Sequence, residues 1–252
     1  MYQAFRIAEL PKFTKAEELH AAANELLAEA RDRWDLSPCF KDGKLSGDKL
    51  QELWFPQVAS DVFISHSQAD KKSALRFASW LKFKFDLSVF VDSRVWGQSK
   101  LLMEMLKEEF PDTDSQQWQE PIHVLLTTAL GTMVNSAECV FFLETPNSLG
   151  GAPGDEETKS PWLYYELSLV DFLPRVEPKR LAKTKQLNER EMVKKSDALP
   201  MAYKPPLGTP KELTAYNLEC WKSSWRSKDI AGILGTTRKF EHALDALYDE
   251  AK

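Results

Sequence analysis

The chain is poor in cysteine and glycine and has no long apolar run. Its three cysteines, Cys39, Cys139 and Cys220, lie far apart in 252 residues. Such a set cannot pair completely into disulfides and holds no CxxC ligand pair, which fits a reducing, cytoplasmic setting. The four histidines show no HExxH spacing, so no protein-bound metal is expected. The ten glycines form neither GxGxxG nor GxxxxGKS/T, which disfavours Rossmann dehydrogenases and P-loop enzymes. No stretch approaches the roughly 20 apolar residues of a membrane span, and mean hydropathy is −0.42. The opening MYQAFRIAELPKFTKAEE lacks the basic start and apolar middle of a signal peptide. A net charge of −5 offers no basic field for nucleic acid.

What is present is ample core material, with 43% apolar and 11% aromatic residues. The chain is organised around Asp61 to Asp92. Val62-Phe63-Ile64 is a short apolar run of β-formers, as in a strand buried on both faces. After Asp70, an apolar stripe at Ala74, Leu75, Ala78, Leu81 and Phe85 has helical spacing. Leu87 to Val91 returns as a strand that Asp92 closes. This is a βαβ unit, which implies a parallel sheet. Ligands of such sheets bind beyond the carboxyl ends of the strands, and those ends carry Ser65-His66-Ser67 and Asp92.

Residues 1–57 read as a helical extension resting on the main domain, or as an oligomerisation or partner surface. Thr14 caps a helix through Leu19, Ala22, Ala23, Leu26, Leu27 and Ala30, Asp42-Gly43 is a turn, and Ser46 or Asp48 starts a short helix that Pro56 ends. The main domain is 58–252. Residues 93–98, with Trp96 and Gly97, read as a loop, 101–110 as a helix, 111–121 as a loop or insertion, and 124–137 as a helix. Val140 to Leu143 is a third strand. Ser160-Pro161 starts a helix in the expected way, with a capping hydroxyl and then proline; Pro174 ends it. On that helix Leu163, Leu167 and Val170 form one stripe, and Trp162, Glu166, Leu169 and Leu173 the adjacent one. Glu166 is a carboxylate on a mostly apolar face, where an unpaired charge is costly. Residues 175–200 are charged and weakly periodic, a solvated helix or linker. Residues 199–203 suggest a late edge strand, and 213–225 and 240–248 closing helices.

Three blocks together resemble a Toll/interleukin-1 receptor (TIR) domain: DVFISHSQAD, SVFVDSRVWG, and CVFFLETPNSL followed by SPWLYYEL with its W-x-x-x-E pattern. They span 58–173, leaving 174–252 as a C-terminal helical completion. The FISH variant and long additions are most similar to bacterial TIR proteins, including antiphage Thoeris-type enzymes. The resemblance implies a flavodoxin-like α/β fold with a parallel sheet flanked by helices, plus helical extensions at both ends. It also implies an enzyme that takes NAD as substrate, needs no further cofactor, and assembles into a homo-oligomer on activation.

In that family the helix glutamate is catalytic, and Glu166 matches it. The matching nucleotide-contacting positions are Ser65, His66, Ser67 and Gln68 in the first loop, Asp92, Trp96 and Gly97 after the second strand, and Trp162. Cleavage of the nicotinamide N-glycosidic bond passes through an oxocarbenium-like state, which a nearby carboxylate stabilises, while Trp162 or Trp96 offers a stacking plane. The products would be nicotinamide with ADP-ribose, a cyclic isomer or another signal nucleotide, reaching a downstream effector in antiphage immunity. One alternative is a non-enzymatic TIR scaffold acting through homotypic assembly. A weaker one is a nucleoside deoxyribosyltransferase-like enzyme. A serine hydrolase lacks its GxSxG elbow.

Overall fold

The computed structural model describes residues 1–29, 35–41, 44–114, 116–150, 157–181, 207–208, 210–233 and 240–251. In chain order the elements are β1 (Gln3–Ile7), α1 (Lys15–Glu29), the two-residue strands β2 (Phe40–Lys41) and β3 (Lys44–Leu45), α2 (Gly47–Trp54), β4 (Val62–Ser65), α3 (Lys71–Phe85), β5 (Val89–Val91), α4 (Ser93–Glu109), α5 (Gln116–Ser136), β6 (Cys139–Leu143), α6 (Pro161–Phe172), β7 (Lys211–Leu213), α7 (Ala215–Ile233) and α8 (Ala243–Glu250).

Five strands form one parallel sheet in the order β5-β4-β6-β1-β7, with Ile64 opposite both Val91 and Phe141, and Ile7 opposite Leu143. Side chains alternate across a strand, and the core divides accordingly. Phe5, Ile7, Val62, Ile64, Cys139 and Phe141 pack on one face under α1, α3, α7 and α8, with Trp80 and Trp221 among the sealed residues. Ala4, Phe63, Phe90 and Val140 pack on the other under α2, α4, α5 and α6. The result is an α/β fold with helices on both faces, consistent with a flavodoxin-like arrangement. Among the described residues, no helix is long and apolar enough to cross a membrane.

The expected caps form. Thr14 and Glu17 make a reciprocal capping box at α1, with Glu17 Oε2 accepting from Thr14 N at 2.8 Å and Thr14 Oγ1 accepting from Glu17 N. Ser46 caps α2, and Ser160 caps α6 with Pro161 at its first position.

Three expectations differ from the structure. The first residues of the 1–57 segment are not helical: β1 lies inside the sheet, bonded to β6 and β7. Its Arg6 breaks the apolar run in sequence, but the guanidinium is met from both neighbours by Glu144 at 3.2 Å and Glu212 at 3.4 Å. The stretch after Asp92 is not a loop, because α4 begins directly at Ser93. The 111–121 stretch is a loop only as far as residue 114; α5 starts at Gln116 and carries Pro121 inside it. The turn at 42–43 and the strand at 199–203 lie outside the described residues, as does most of 175–200. The far edge of the sheet is β7.

Below the amino ends of the strands, Arg180 ties the chain that follows α6 to the rest. Its guanidinium grips both oxygens of Glu138, with Nη1 2.8 Å from Oε2, and its Nε donates to Asp245 Oδ1 at 2.7 Å. Tyr248 adds an O–H bond to Glu138 at 2.9 Å. Arg180→Met leaves buried Asp245 and half-buried Glu138 facing each other. It is expected to lower unfolding stability by about 1.5–3 kcal/mol, the scale of hydrogen bonds to charged groups. Urea unfolding checks this, and a loss under about 0.5 kcal/mol would mark a solvated surface pair instead.

Candidate functional site

In a doubly wound sheet the ligand crevice opens where the strand order reverses. Here the chain runs from β4 outward to β5 and then crosses to β6 on the other side, so the reversal lies between β4 and β6. Ser65 ends β4, Asp92 follows β5, and Glu144-Thr145 follows β6. The α6 helix lowers Glu166 into the same place.

Glu166 shares its helix's buried face with Leu163, Leu167 and Val170 and is only 2% exposed. Its Oε2 accepts the Ser65 hydroxyl at 2.5 Å. Its Oε1 has no hydrogen-bond partner among the described residues, and neither has the buried Ser93 Oγ beside Asp92. Burial drives the Glu166 carboxyl well above its ordinary pKa, and the Asp92 carboxylate adds to this, while the Ser65 hydroxyl opposes it weakly. Burial thus favours the neutral acid over the carboxylate in the resting site.

His66 is sealed beside it. Its Nε2 is 2.7 Å from Asp92 Oδ1, and its Nδ1 is 2.6 Å from the Ser67 carbonyl oxygen. A carbonyl only accepts, so Nδ1 donates, and a carboxylate on the other side calls for a second N–H. Protonation of both nitrogens would place a positive ring against the Asp92 carboxylate. Burial opposes that charge, but Asp92 and the Ser67 carbonyl outweigh it and hold the His66 pKa above its usual value.

An open cleft of about 100 Å³ is lined by His66, Gln68, Asp92, Ser160, Trp162 and Leu163. Trp162 forms a half-buried wall, with His123 of α5 set edge-on to it at 5.9 Å. Glu166 does not line the cleft but sits behind it, against Ser65 and Asp92. No Lys or Arg is among the described lining residues.

Seven of the expected residues, Ser65, His66, Ser67, Gln68, Asp92, Trp162 and Glu166, thus converge at the switch point. Trp96 and Gly97 are placed only on the first turns of α4, because the side chains of 94–98 lie outside the described residues. Three residues that sequence reasoning passed over join the site. Asp70 receives hydrogen bonds from Ser67, Thr145 and Asn147. Asp70 reads in sequence as a helix start and Thr145-Asn147 as a strand end; nothing local pairs them across more than 70 positions.

Away from the cleft, Glu138, His242 and Asp245 approach closely enough to ligate a metal ion. Their donors are already engaged. Arg180 joins the two carboxylates, and His242 Nδ1 accepts the Leu244 amide at the start of α8. Comparison of the chain with protein-family models, curated proteins and solved structures finds no match.

His66 gives the site a pH signature. A folded-state pKa raised above the unfolded value means that the pair's stabilisation is complete below about pH 6.5 and is lost as pH rises through the folded pKa. Asp92→Asn removes the opposing charge and leaves burial dominant. The His66 ring, followed by NMR, is then expected to titrate below an ordinary histidine instead of above it. An unmoved titration would show that Asp92 does not hold the charge.

Proposed function

We propose that this protein is a TIR-like enzyme that cleaves the nicotinamide N-glycosidic bond of NAD. The observation that carries this reading is Glu166: a sealed carboxyl at the topological switch point, with one oxygen fixed by Ser65 and the other unpartnered. A buried acceptor left unsatisfied costs about 1–3 kcal/mol, and a ribose hydroxyl donating to Oε1 would relieve that cost. The match of the Ser65 to Gln68, Asp92 and Trp162 to Glu166 segments to the TIR pattern supports the same reading.

The chemistry follows from charge. The nicotinamide of NAD is a pyridinium cation. A cation entering beside Glu166 favours the ionised carboxyl and draws its pKa down, while the face of Trp162 suits the cationic ring. As the bond breaks, the nicotinamide leaves with the bonding electrons and becomes neutral, and positive charge moves to the ribose. A carboxylate already held there, in a site of low dielectric, stabilises that state more than the ground state. Nicotinamide is a neutral leaving group, so no separate strong acid is needed.

Cleft size sets a limit. Pockets for drug-sized ligands occupy roughly 300–1,000 Å³, so a cleft of about 100 Å³ would take only the nicotinamide-ribose end of the ligand and leave the pyrophosphate and adenosine outside. The products would be nicotinamide with ADP-ribose, a cyclic isomer or another signal nucleotide, in keeping with a role in antiphage signalling. A second reading, a non-catalytic module acting through homotypic assembly, draws on the burial of Glu166 behind the lining residues.

Glu166→Gln tests the first reading. It replaces a carboxyl with a neutral group of the same size, so the fold is expected to persist. A raised acid pKa makes folding less favourable as pH rises from about 4.5 toward the folded value, so the glutamine form should be as stable as the parent at pH 5 and more stable at pH 8. Nicotinamide release by concentrated, assembled protein should fall at least about a hundredfold, the scale of one preorganised electrostatic group. Equal release by parent and variant, with products resolved by mass, removes Glu166 from the reaction; no release by demonstrated assemblies of the parent favours the second reading.

A further inference from the structure

The reaction described above makes no use of Asp70, yet this carboxylate holds a dense set of bonds beside the cleft. Asp70 is buried at the start of α3. Its Oδ2 accepts both the Ser67 hydroxyl and the Thr145 hydroxyl, each at 2.5 Å, and its Oδ1 accepts the Asn147 amide at 2.9 Å. Its own backbone N–H donates to the Ser67 carbonyl at 2.9 Å, the same oxygen that receives His66 Nδ1. Burial opposes the charged form, but these three donors hold the Asp70 carboxyl below its ordinary pKa.

Two features separate this arrangement from ordinary helix capping. A side chain at the start of a helix normally accepts from the free amides of the first turn, and Asp70 makes no such bond to α3. It reaches instead to the loop after β6. Nor is the sheet in need of this tie, because β4 and β6 are already paired from Val62 to Ser65. What the bonds do fix is the loop region. Gln68, which lines the cleft, lies between Ser67 and Asp70, and the loop after β6 is bonded to Asp70 through Thr145 and Asn147.

We propose that Asp70 is a positioning residue that locks the loop after β4 to the loop after β6. It thereby holds Gln68 and His66 in the geometry that receives the ring end of the ligand. It acts through those two side chains and does not touch the ligand. The identity of the ligand rests on the function proposed above; the clamp itself does not.

The test uses the full chain with Asp70→Ala, Asp70→Asn and Thr145→Val, read by amide hydrogen exchange and by NAD kinetics. In Asp70→Ala, exchange in 66–69 and 144–149 is expected to quicken at least tenfold while β1 and β6 stay protected. KM for NAD is expected to rise at least tenfold, with kcat within threefold of the parent. Asp70→Asn, which keeps the size and can bond the same three groups, should recover most of both. Thr145→Val loses one donor and should shift both readouts by less in the same direction. Unchanged exchange in both loops of Asp70→Ala, or a fall in kcat at constant KM, overturns the proposal. If the parent releases no nicotinamide, the proposed function falls, and the exchange measurement alone decides for or against the clamp. If Asp70→Ala does not fold, Thr145→Val carries both readouts under the same criteria.

Discussion

A carboxyl group sealed at the rim of the sheet, beside a second carboxylate, is the constraint on which the site depends. Charge in a low-dielectric interior is stable only when paired. The two acids meet this requirement differently. Asp92 Oδ1 lies 2.7 Å from His66 Nε2 and helps hold the His66 pKa above its usual value. Glu166 has only the Ser65 hydroxyl among the described residues, and burial drives its pKa well above the ordinary value. Two chemically similar groups a short distance apart thus sit in different surroundings, one beside a histidine and one sealed on an apolar helix face, and divergent surroundings for neighbouring acids mark acid and base assignments in known sites.

That difference is meaningful only if α6 holds Glu166 in a fixed rotation. The helix start is set by the Ser160 cap and Pro161. Its flank is set at the very next residue after the lining Leu163 and exposed Tyr164: the Tyr165 hydroxyl donates to the Thr127 carbonyl of α5 at 2.9 Å. This contact relies on Gly131, where a Cβ would stand 3.1 Å from the Tyr165 hydroxyl oxygen. The α5 glycine therefore lets the two helices approach, and the buried face of α6 turns toward the strand ends. At the opposite end of the sheet, Arg180 binds Glu138 and Asp245 and ties the chain after α6 to α8 and to the residue before β6. At the other end, Glu166 Oε1 and Ser93 Oγ are among the buried polar atoms with no hydrogen-bond partner among the described residues.

Much of this was legible in the residues, and the remainder follows a physical rule. Strands β4, β5 and β6 are short apolar runs, visible because both faces of each are buried. The α6 cap is visible because its signal lies within a few residues. β1 was not visible: Arg6 interrupts the run, and its compensation by Glu144 and Glu212 is more than 130 residues away in sequence. The early start of α4 was hidden by Gly97, which breaks helical periodicity in sequence without ending the helix. In the site, residue types that act through local motifs could be named, including Glu166 with Trp162 and His66 with Ser67. Asp70 with Thr145 and Asn147 could not, because a hydrogen bond between distant loops leaves no spacing to read.

The unpartnered Oε1 of Glu166 also bears on whether the site is built for chemistry or only for assembly. A module that works through its outer surfaces gains nothing from a sealed carboxyl. Leucine or methionine at 166 would fill the same volume on an apolar helix face without the desolvation penalty, and replacement of buried polar groups by apolar ones of similar shape is often neutral or stabilising. Glutamate there lowers stability increasingly as pH rises above the unfolded carboxyl pKa. Such a local disadvantage is what functional sites accumulate, because a group ready to act on a ligand is by necessity incompletely satisfied without it. The charge of the cleft points the same way. Asp92 and Trp162 both line it, and an acid beside an aromatic face suits the cationic ring of the function proposed above.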